Sequence, residues 1–182
     1  DSSVERGRIS REERDRVVSM IAGTLEYADL AAVDLVVEAV FEEMDLKRTV
    51  FAKLDEVCRP GAILATNTSS LSVTRIASAC ARPERVAGYH FFNPVTLMKL
   101  VEGVRGERTD ASVIERLVQL AEQAGHFPAI TPDTPGFLVN HAGRAYGTEA
   151  QRILSEGIAT PEQIDCILRD GPGFRMGPFE LL

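Results

Sequence analysis

Apolar and polar positions along the chain change period repeatedly, and each change predicts an element. Ser10-Arg11-Glu12-Glu13 sets a serine three residues ahead of a glutamate, a capping-box pattern, so a short helix is expected over 11–20. Residues 34–40 have a short β-branched apolar centre and read as a buried parallel strand. Residues 43–57 take helical spacing, with Leu46, Val50, Phe51, Leu54 and Val57 on one face and Pro60-Gly61 as the stop. Residues 62–66 form a second buried strand that runs into the polar turn Asn67-Thr68-Ser69-Ser70, and Ser72 caps a helix over 73–80. Residues 86–92 are a third strand, broken by Asn93-Pro94, and residues 99–104 a fourth. Asp110 caps an amphipathic helix over 111–124, which Gly125 closes, and residues 127–131 are the last strand.

Strands that alternate with helices of this length predict an α/β fold on a parallel sheet. Beyond Asp133 the pattern is helical only. Residues 136–155 are one helix, and Thr160-Pro161-Glu162-Gln163 is a capping box with proline at the first helical position, opening a second helix over 161–169. The boundary therefore falls within 131–135, dividing an α/β domain (1–132) from the start of an all-α domain (133–182). Both ends read as cut: the polar stretch 1–10 leads straight into a helix, and Glu180-Leu181-Leu182 reads as an interrupted one.

Charge and cysteine usage narrow the function classes. Lys plus Arg number 20 against 27 Asp plus Glu, a net charge of −7 with no basic stripe, which excludes nucleic acid and anionic membranes as expected partners. No apolar run approaches the roughly 18 residues of a membrane span, and the first ten residues have no apolar core of a signal peptide. Cys58, Cys80 and Cys166 lie far apart in odd number, giving neither a metal spacing nor a disulfide framework. The expectation is a cytoplasmic protein without a metal.

Candidate chemistry lies where strands end, because ligands of open α/β sheets bind beyond the carboxyl ends of the strands. Asn67, Ser69 and His90 fall there. Glu102 sits inside the apolar run 99–104; it either pairs with a strand-end histidine, orienting the imidazole and favouring its protonated form, or faces solvent from an edge strand. Glu42 and Lys47 follow the first strand and either meet a hydroxyl and a phosphate or ribose, or lie on a solvated helix face. Asn140 either faces a cleft or packs. His126 and His141 read as surface or hydrogen-bonded histidines, and Tyr89, Phe91 and Phe92 as core. Gly171-Pro172-Gly173 follows a helix and reads as a turn, and no GxGxxG fingerprint is present.

Several segments taken together are more specific. Residues 86–94 (VAGYHFFNP) with Met98-Lys99-Leu100-Val101-Glu102 closely resemble the signature of the L-3-hydroxyacyl-CoA dehydrogenases. The family's NTSS stands here as Asn67-Thr68-Ser69-Ser70, and its VVEA as Val36-Val37-Glu38-Ala39. Residues 133–140 (DTPGFLVN) resemble the start of its helical domain, and 173–182 (GFRMGPFELL) its next helix–turn segment. The resemblance runs from about residue 30 to the end, in family order. The family's first βαβ unit, with its glycine-rich turn, has no counterpart.

The resemblance implies a Rossmann-like domain lacking its N-terminal part, and NAD-dependent oxidation of L-3-hydroxyacyl-CoA to 3-ketoacyl-CoA in β-oxidation-type fatty-acid metabolism. His90 would be the base and Glu102 its partner; Ser69 would bind the substrate oxygen, and Asn140 would place the thioester carbonyl. Ala39, Glu42, Lys47, Asn67, Ser69 and Asn93 would bind NAD. The full-length parent would be a homodimer acting on an acyl-CoA thioester, and the 182 residues alone would have little activity. Other readings are 3-hydroxybutyryl-CoA or 3-hydroxyadipyl-CoA specificity, a dehydrogenase of free hydroxy acids, and a non-catalytic crystallin-like or binding protein on the same scaffold.

Overall fold

The computed structural model describes residues 2–181. Its first helices are α1 (Ser2–Glu5), in the stretch read above as merely polar, and α2 (Arg11–Ser19), capped by the Ser10 hydroxyl. Then follow β1 (Leu35–Glu38), α3 (Met44–Val57), β2 (Ile63–Thr66), α4 (Val73–Ala77), β3 (Val86–Phe91), β4 (Leu100–Arg105), α5 (Ala111–Gln123) and β5 (Phe127–Pro132). Helices α6 (Val139–Ser155) and α7 (Pro161–Asp170) complete the order, α7 with the expected capping box of Thr160 and Gln163. Helix α4 stops three residues short of its predicted end. Residues 178–181 form a turn where an interrupted helix was expected, and Leu182 of that expectation lies outside the described residues.

The five strands stand in chain order, β1-β2-β3-β4-β5. β1, β2 and β3 are parallel, joined by α3 and α4, and β4 is parallel to β5 across α5. Between β3 and β4 the pairing is antiparallel, which corrects the expected all-parallel sheet. The connection explains it: residues 92–99 contain no helix, and a parallel return needs a crossover of about a dozen residues or more. β1 is also less buried than expected. It lies at the edge of the described sheet, with Val37 41% exposed.

Side chains alternate between two buried faces, as the period of a strand requires. Leu64, Val86 and Val104 pack with Phe51, Leu54, Val73 and Ile76 of α3 and α4 on one face. Ala65, Ala87, Tyr89 and Val101 pack with Val113, Ile114, Leu117 and Ala121 of α5 on the other. Phe137, from the segment before α6, joins the first face. Among the described residues no helix is long and apolar enough to cross a membrane.

Gly88 of β3 is where α4 and β4 close on the sheet. A β-carbon there would lie 2.7 Å from Val104 Cβ and 3.0 Å from Val73 Cγ2. Gly88→Ala should therefore destabilise the chain by about 1–3 kcal/mol, read as a lower urea midpoint. Gly61→Ala, where a β-carbon meets nothing within 4 Å, is the control. Equal midpoints in both variants would contradict this packing.

Candidate active site

The antiparallel pairing sets His90 directly opposite Glu102. Facing residues of an antiparallel pair project from the same side of the sheet, about 4.5–5.5 Å apart at Cβ. Here that side is the one shared with Phe137. The imidazole Nδ1 lies 2.7 Å from Glu102 Oε2, and the two residues are 6% and 0% exposed. The alternative of a solvent-facing glutamate on an edge strand is excluded, because β4 lies between β3 and β5. A carboxylate accepts, so Nδ1 carries the proton and Nε2 keeps its lone pair for an incoming hydroxyl. Phe92 and Phe137 flank the ring, their centroids 4.5 and 6.0 Å from it.

The second oxygen of Glu102 holds the helical part in place. Oε1 accepts from the backbone N–H groups of Leu138 (2.9 Å) and Val139 (2.8 Å). Leu138 is the N-cap of α6 and has no side-chain cap of its own, so Glu102 supplies the missing acceptor from another strand. The turn that aims these donors uses Gly136 at φ 78° and Phe137 at φ 49°. The second value is strained for a side chain as large as phenylalanine, and burial of its ring in the core holds it there. Within the first turn of α6, Asn140 Nδ2 donates to the Ser69 carbonyl at 3.2 Å. Glu102, His90, Ser69 and Asn140 are thus joined from β4, β3, the loop after β2 and α6.

A second charged network sits at the carboxyl ends of β1 and β2. Lys47, 1% exposed, donates to Glu38 Oε1 at 2.7 Å and to the Val40 carbonyl at 3.2 Å. Its ammonium also lies 3.4 Å from Glu42 Oε2. The solvated-face alternative for Lys47 is therefore corrected, and its ammonium is occupied by partners inside the chain. Glu38 also accepts from Val40 N and the Thr66 hydroxyl. Glu42 does meet hydroxyls, those of Thr68 and Ser69, along with the Ser69 amide at 3.0 Å. Burial alone would raise the Glu42 carboxyl. The Thr68 hydroxyl, the Ser69 amide and the Lys47 charge outweigh it and hold the group below the usual glutamate range. Asn67 Oδ1 accepts from Phe91 N at 2.9 Å, which ties this loop to β3. Ala39 and Asn93 lie exposed at the ends of β1 and β3.

Away from the site, exposed His141 has Nδ1 3.1 Å from the Pro135 carbonyl. His126 is half-buried against Phe91, and its Nδ1 has no partner. Among the described residues no cluster of three or more His, Cys, Asp or Glu could hold a metal ion.

Glu38 was not singled out as a site residue in the sequence, although it carries the signal that exposed Glu102, a carboxylate in an apolar strand. Phe137 and the amides of Leu138 and Val139 left no such signal. Backbone donors are present at every residue, and only the turn selects these two.

Two family models match the chain, "3-hydroxyacyl-CoA dehydrogenase, NAD binding domain" over residues 1–134 and "3-hydroxyacyl-CoA dehydrogenase, C-terminal domain" over 136–182. The chain is 49% identical to a 3-hydroxyadipyl-CoA dehydrogenase of Escherichia coli K12, covering 100% of this chain and 38% of that protein. It is 40% identical to a 3-hydroxybutyryl-CoA dehydrogenase of Clostridioides difficile, covering 98% and 63%. A crystal structure of a 3-hydroxybutyryl-CoA dehydrogenase from Escherichia coli K12 superimposes with a TM-score of 0.95 at 49% identity, over 99% of this chain and 38% of that one. The chain thus spans less than two thirds of the length of these relatives.

The Glu42 network sets a pH dependence. Because the folded carboxyl lies below its unfolded value of about 4.3, its stabilisation is complete above that pH and is lost as pH falls through the folded value. A carboxyl-carbon NMR titration should give Glu42 a midpoint below about 4.3. The urea midpoints of wild type and Glu42→Gln should converge in acid. A titration at or above the free value would show that Lys47 and the Thr68–Ser69 donors do not reach the carboxylate.

Proposed function

Since the chain belongs to the 3-hydroxyacyl-CoA dehydrogenase family, we propose that its site oxidises the 3-hydroxyl of an L-3-hydroxyacyl-CoA to a ketone, with NAD⁺ as the acceptor. The observation that carries this is the buried His90–Glu102 pair, with Nδ1 engaged at 2.7 Å. His90 Nε2 takes the hydroxyl proton. Glu102 keeps the ring in the required tautomer and stabilises the imidazolium that forms. The Ser69 hydroxyl donates to the substrate oxygen and Asn140 places the thioester carbonyl. Their mutual contact supports a common ligand.

The residues present fit a nicotinamide dinucleotide. Glu42 is part-exposed, and its Oε2 has only the 3.4 Å approach of Lys47, which leaves acceptor capacity for a ribose hydroxyl. Ala39 would lie along the adenosine–diphosphate side, and Asn67, Ser69 and Asn93 around the nicotinamide riboside. Lys47 serves through Glu42. When bound, the cofactor supplies the acceptor for the hydride leaving C3. The protein's part is to hold the hydroxyl at His90 and to shield it beneath Phe92 and Phe137.

The names of the relatives suggest 3-hydroxybutyryl-CoA and 3-hydroxyadipyl-CoA as the first substrates to try. Residues 1–132 form the NAD-binding domain, and 133–182 begin the helical one. The reaction belongs to fatty-acid oxidation in the cytoplasm, in keeping with three free cysteines. Exposed Ile158, Ile167 and Phe174 on the helical side support homodimer formation by the whole protein.

NADH consumption with acetoacetyl-CoA, by the 182-residue chain and by any longer product of the same reading frame, tests the reading. Turnover that is absent from both, or equal with the free acid, would sink it. In the active form His90→Ala should lower kcat by about 10²–10⁴. Glu102→Gln should match that loss while the fold persists. Its amide oxygen still accepts from Leu138 and Val139, but its NH₂ donates to Nδ1 and moves the ring proton to Nε2. Full activity in Glu102→Gln would refute the pairing mechanism.

A further inference from the structure

We propose that Asp133 is a positioning residue whose carboxylate fixes the Ser69 loop against the start of α6, so that Ser69 and Asn140 face one substrate. The inference rests on the dehydrogenase reading for its kinetic consequences, but its geometric part stands apart from it.

Asp133 follows β5 directly, and its N–H donates to the Arg105 carbonyl at 3.0 Å, so its backbone is anchored to the sheet. Its carboxylate reaches back about sixty residues. Oδ2 accepts from the Ser72 hydroxyl and Thr74 N, both at 2.8 Å, and Oδ1 accepts from Val73 N at 3.0 Å. Burial would raise this carboxyl, but the donors of Thr74, Ser72 and Val73 outweigh it and hold it below the ordinary aspartate range.

The segments on either side of this clamp are themselves stiff. Upstream, the Thr68 hydroxyl oxygen accepts from Leu71 N at 2.9 Å, so Ser69 and Ser72 move as one turn. Downstream, Thr134 N donates to the Pro132 carbonyl, Phe137 N to Thr134, and His141 N to Gly136. The ring closes where Asn140 Nδ2 meets the Ser69 carbonyl at 3.2 Å. Glu102 holds the start of α6 against His90, whereas Asp133 holds the approach to α6 against the Ser69 turn. With Glu102 alone, α6 could pivot about the Leu138–Val139 amides, carrying Asn140 away from Ser69 while leaving the His90 pair intact. Two separate attachments, one to β4 and one to the start of α4 where the loop after β2 ends, remove that freedom. Asp133 touches none of the reacting groups and acts through Ser69 and Asn140.

The test compares Asp133→Ala, Asp133→Asn and Asp110→Ala in the same chain. Asp110 caps α5 through Ser112 and controls for a lost cap away from the site. The readouts are the ¹⁵N–¹H resonances of the Asn140 side-chain amide and separate KM values for acetoacetyl-CoA and NADH. Asp133→Ala should move the Asn140 amide and raise KM for the thioester by about tenfold, the scale of one lost hydrogen bond, with a smaller rise in KM for NADH, which is proposed to meet Ser69 but not Asn140. Asp133→Asn, which keeps the size but loses the charge and one acceptor, should fall between Asp133→Ala and wild type. It carries the test if Asp133→Ala does not fold. Asp110→Ala should lower Tm without either effect. An unmoved Asn140 amide, equal rises in both KM values, or the same changes in Asp110→Ala would overturn the proposal. If neither the 182-residue chain nor a longer product of the same reading frame consumes NADH, the dehydrogenase reading fails, and the Asn140 resonance still decides the geometric role of Asp133.

Discussion

A carboxylate with no exposure to water has to be satisfied entirely from within the protein, and Glu102 meets that demand with three donors drawn from two other elements. One oxygen takes the His90 ring N–H and the other takes two amides at the head of α6. The antiparallel pairing of β3 with β4 sets the first contact, and the strained turn at Phe137 sets the other two. The sheet and the helical segment are therefore joined through the same side chain that orients the imidazole. A change that repositions α6 bears directly on the histidine.

The Glu38–Lys47–Glu42 network applies the same physics at the ends of β1 and β2. Bringing an ammonium and a carboxylate together out of water is costly unless each finds further partners. Glu38 finds Val40 N and the Thr66 hydroxyl, Lys47 finds the Val40 carbonyl and Glu42, and Glu42 ends the chain of contacts at the Ser69 amide. What such a network contributes is geometry. It ties the turn after β1 to the turn after β2, the two carboxyl-end loops on which the proposed cofactor contacts depend.

At the other end of the strands, buried Asp55 accepts from Arg85 Nη2 at 2.7 Å and from Ala81 N at 2.8 Å, and Arg85 donates to the Arg59 carbonyl. Burial raises the Asp55 carboxyl, but Arg85, the Ala81 amide and Arg82 outweigh it and hold it below the aspartate range. These groups lie at the start of β3, away from His90, and their partners are satisfied locally. Similar buried ion pairs thus do different work at the two ends of one sheet. The carboxyl end leaves His90 Nε2 without a hydrogen bond among the described residues and one oxygen of Glu42 with only the 3.4 Å approach of Lys47, and the amino end has its charges closed on one another.

Local pattern determined most of the elements, because strand and helix periods, caps and breakers are properties of neighbouring residues. Ser10, Ser72, Asp110 and Thr160 each cap the helix that their sequence context indicates. His90 and Glu102 were legible as candidates for the same reason, since an ionisable group inside an apolar strand needs a partner. Lys47 was a candidate too, but its burial was not legible: helical spacing tells which residues share a face, but not that the sheet edge opposite offers Glu38 and a carbonyl. The sense of β3 against β4 was readable from the short link between them, yet the alternation of elements pointed to a parallel sheet. The tertiary structure alone decided that the Leu138 and Val139 amides would close on Glu102, and that Asp133 would cap a helix some sixty residues earlier. Hydrogen bonds between distant segments depend on how the chain folds back in space, and no periodicity along the chain encodes that.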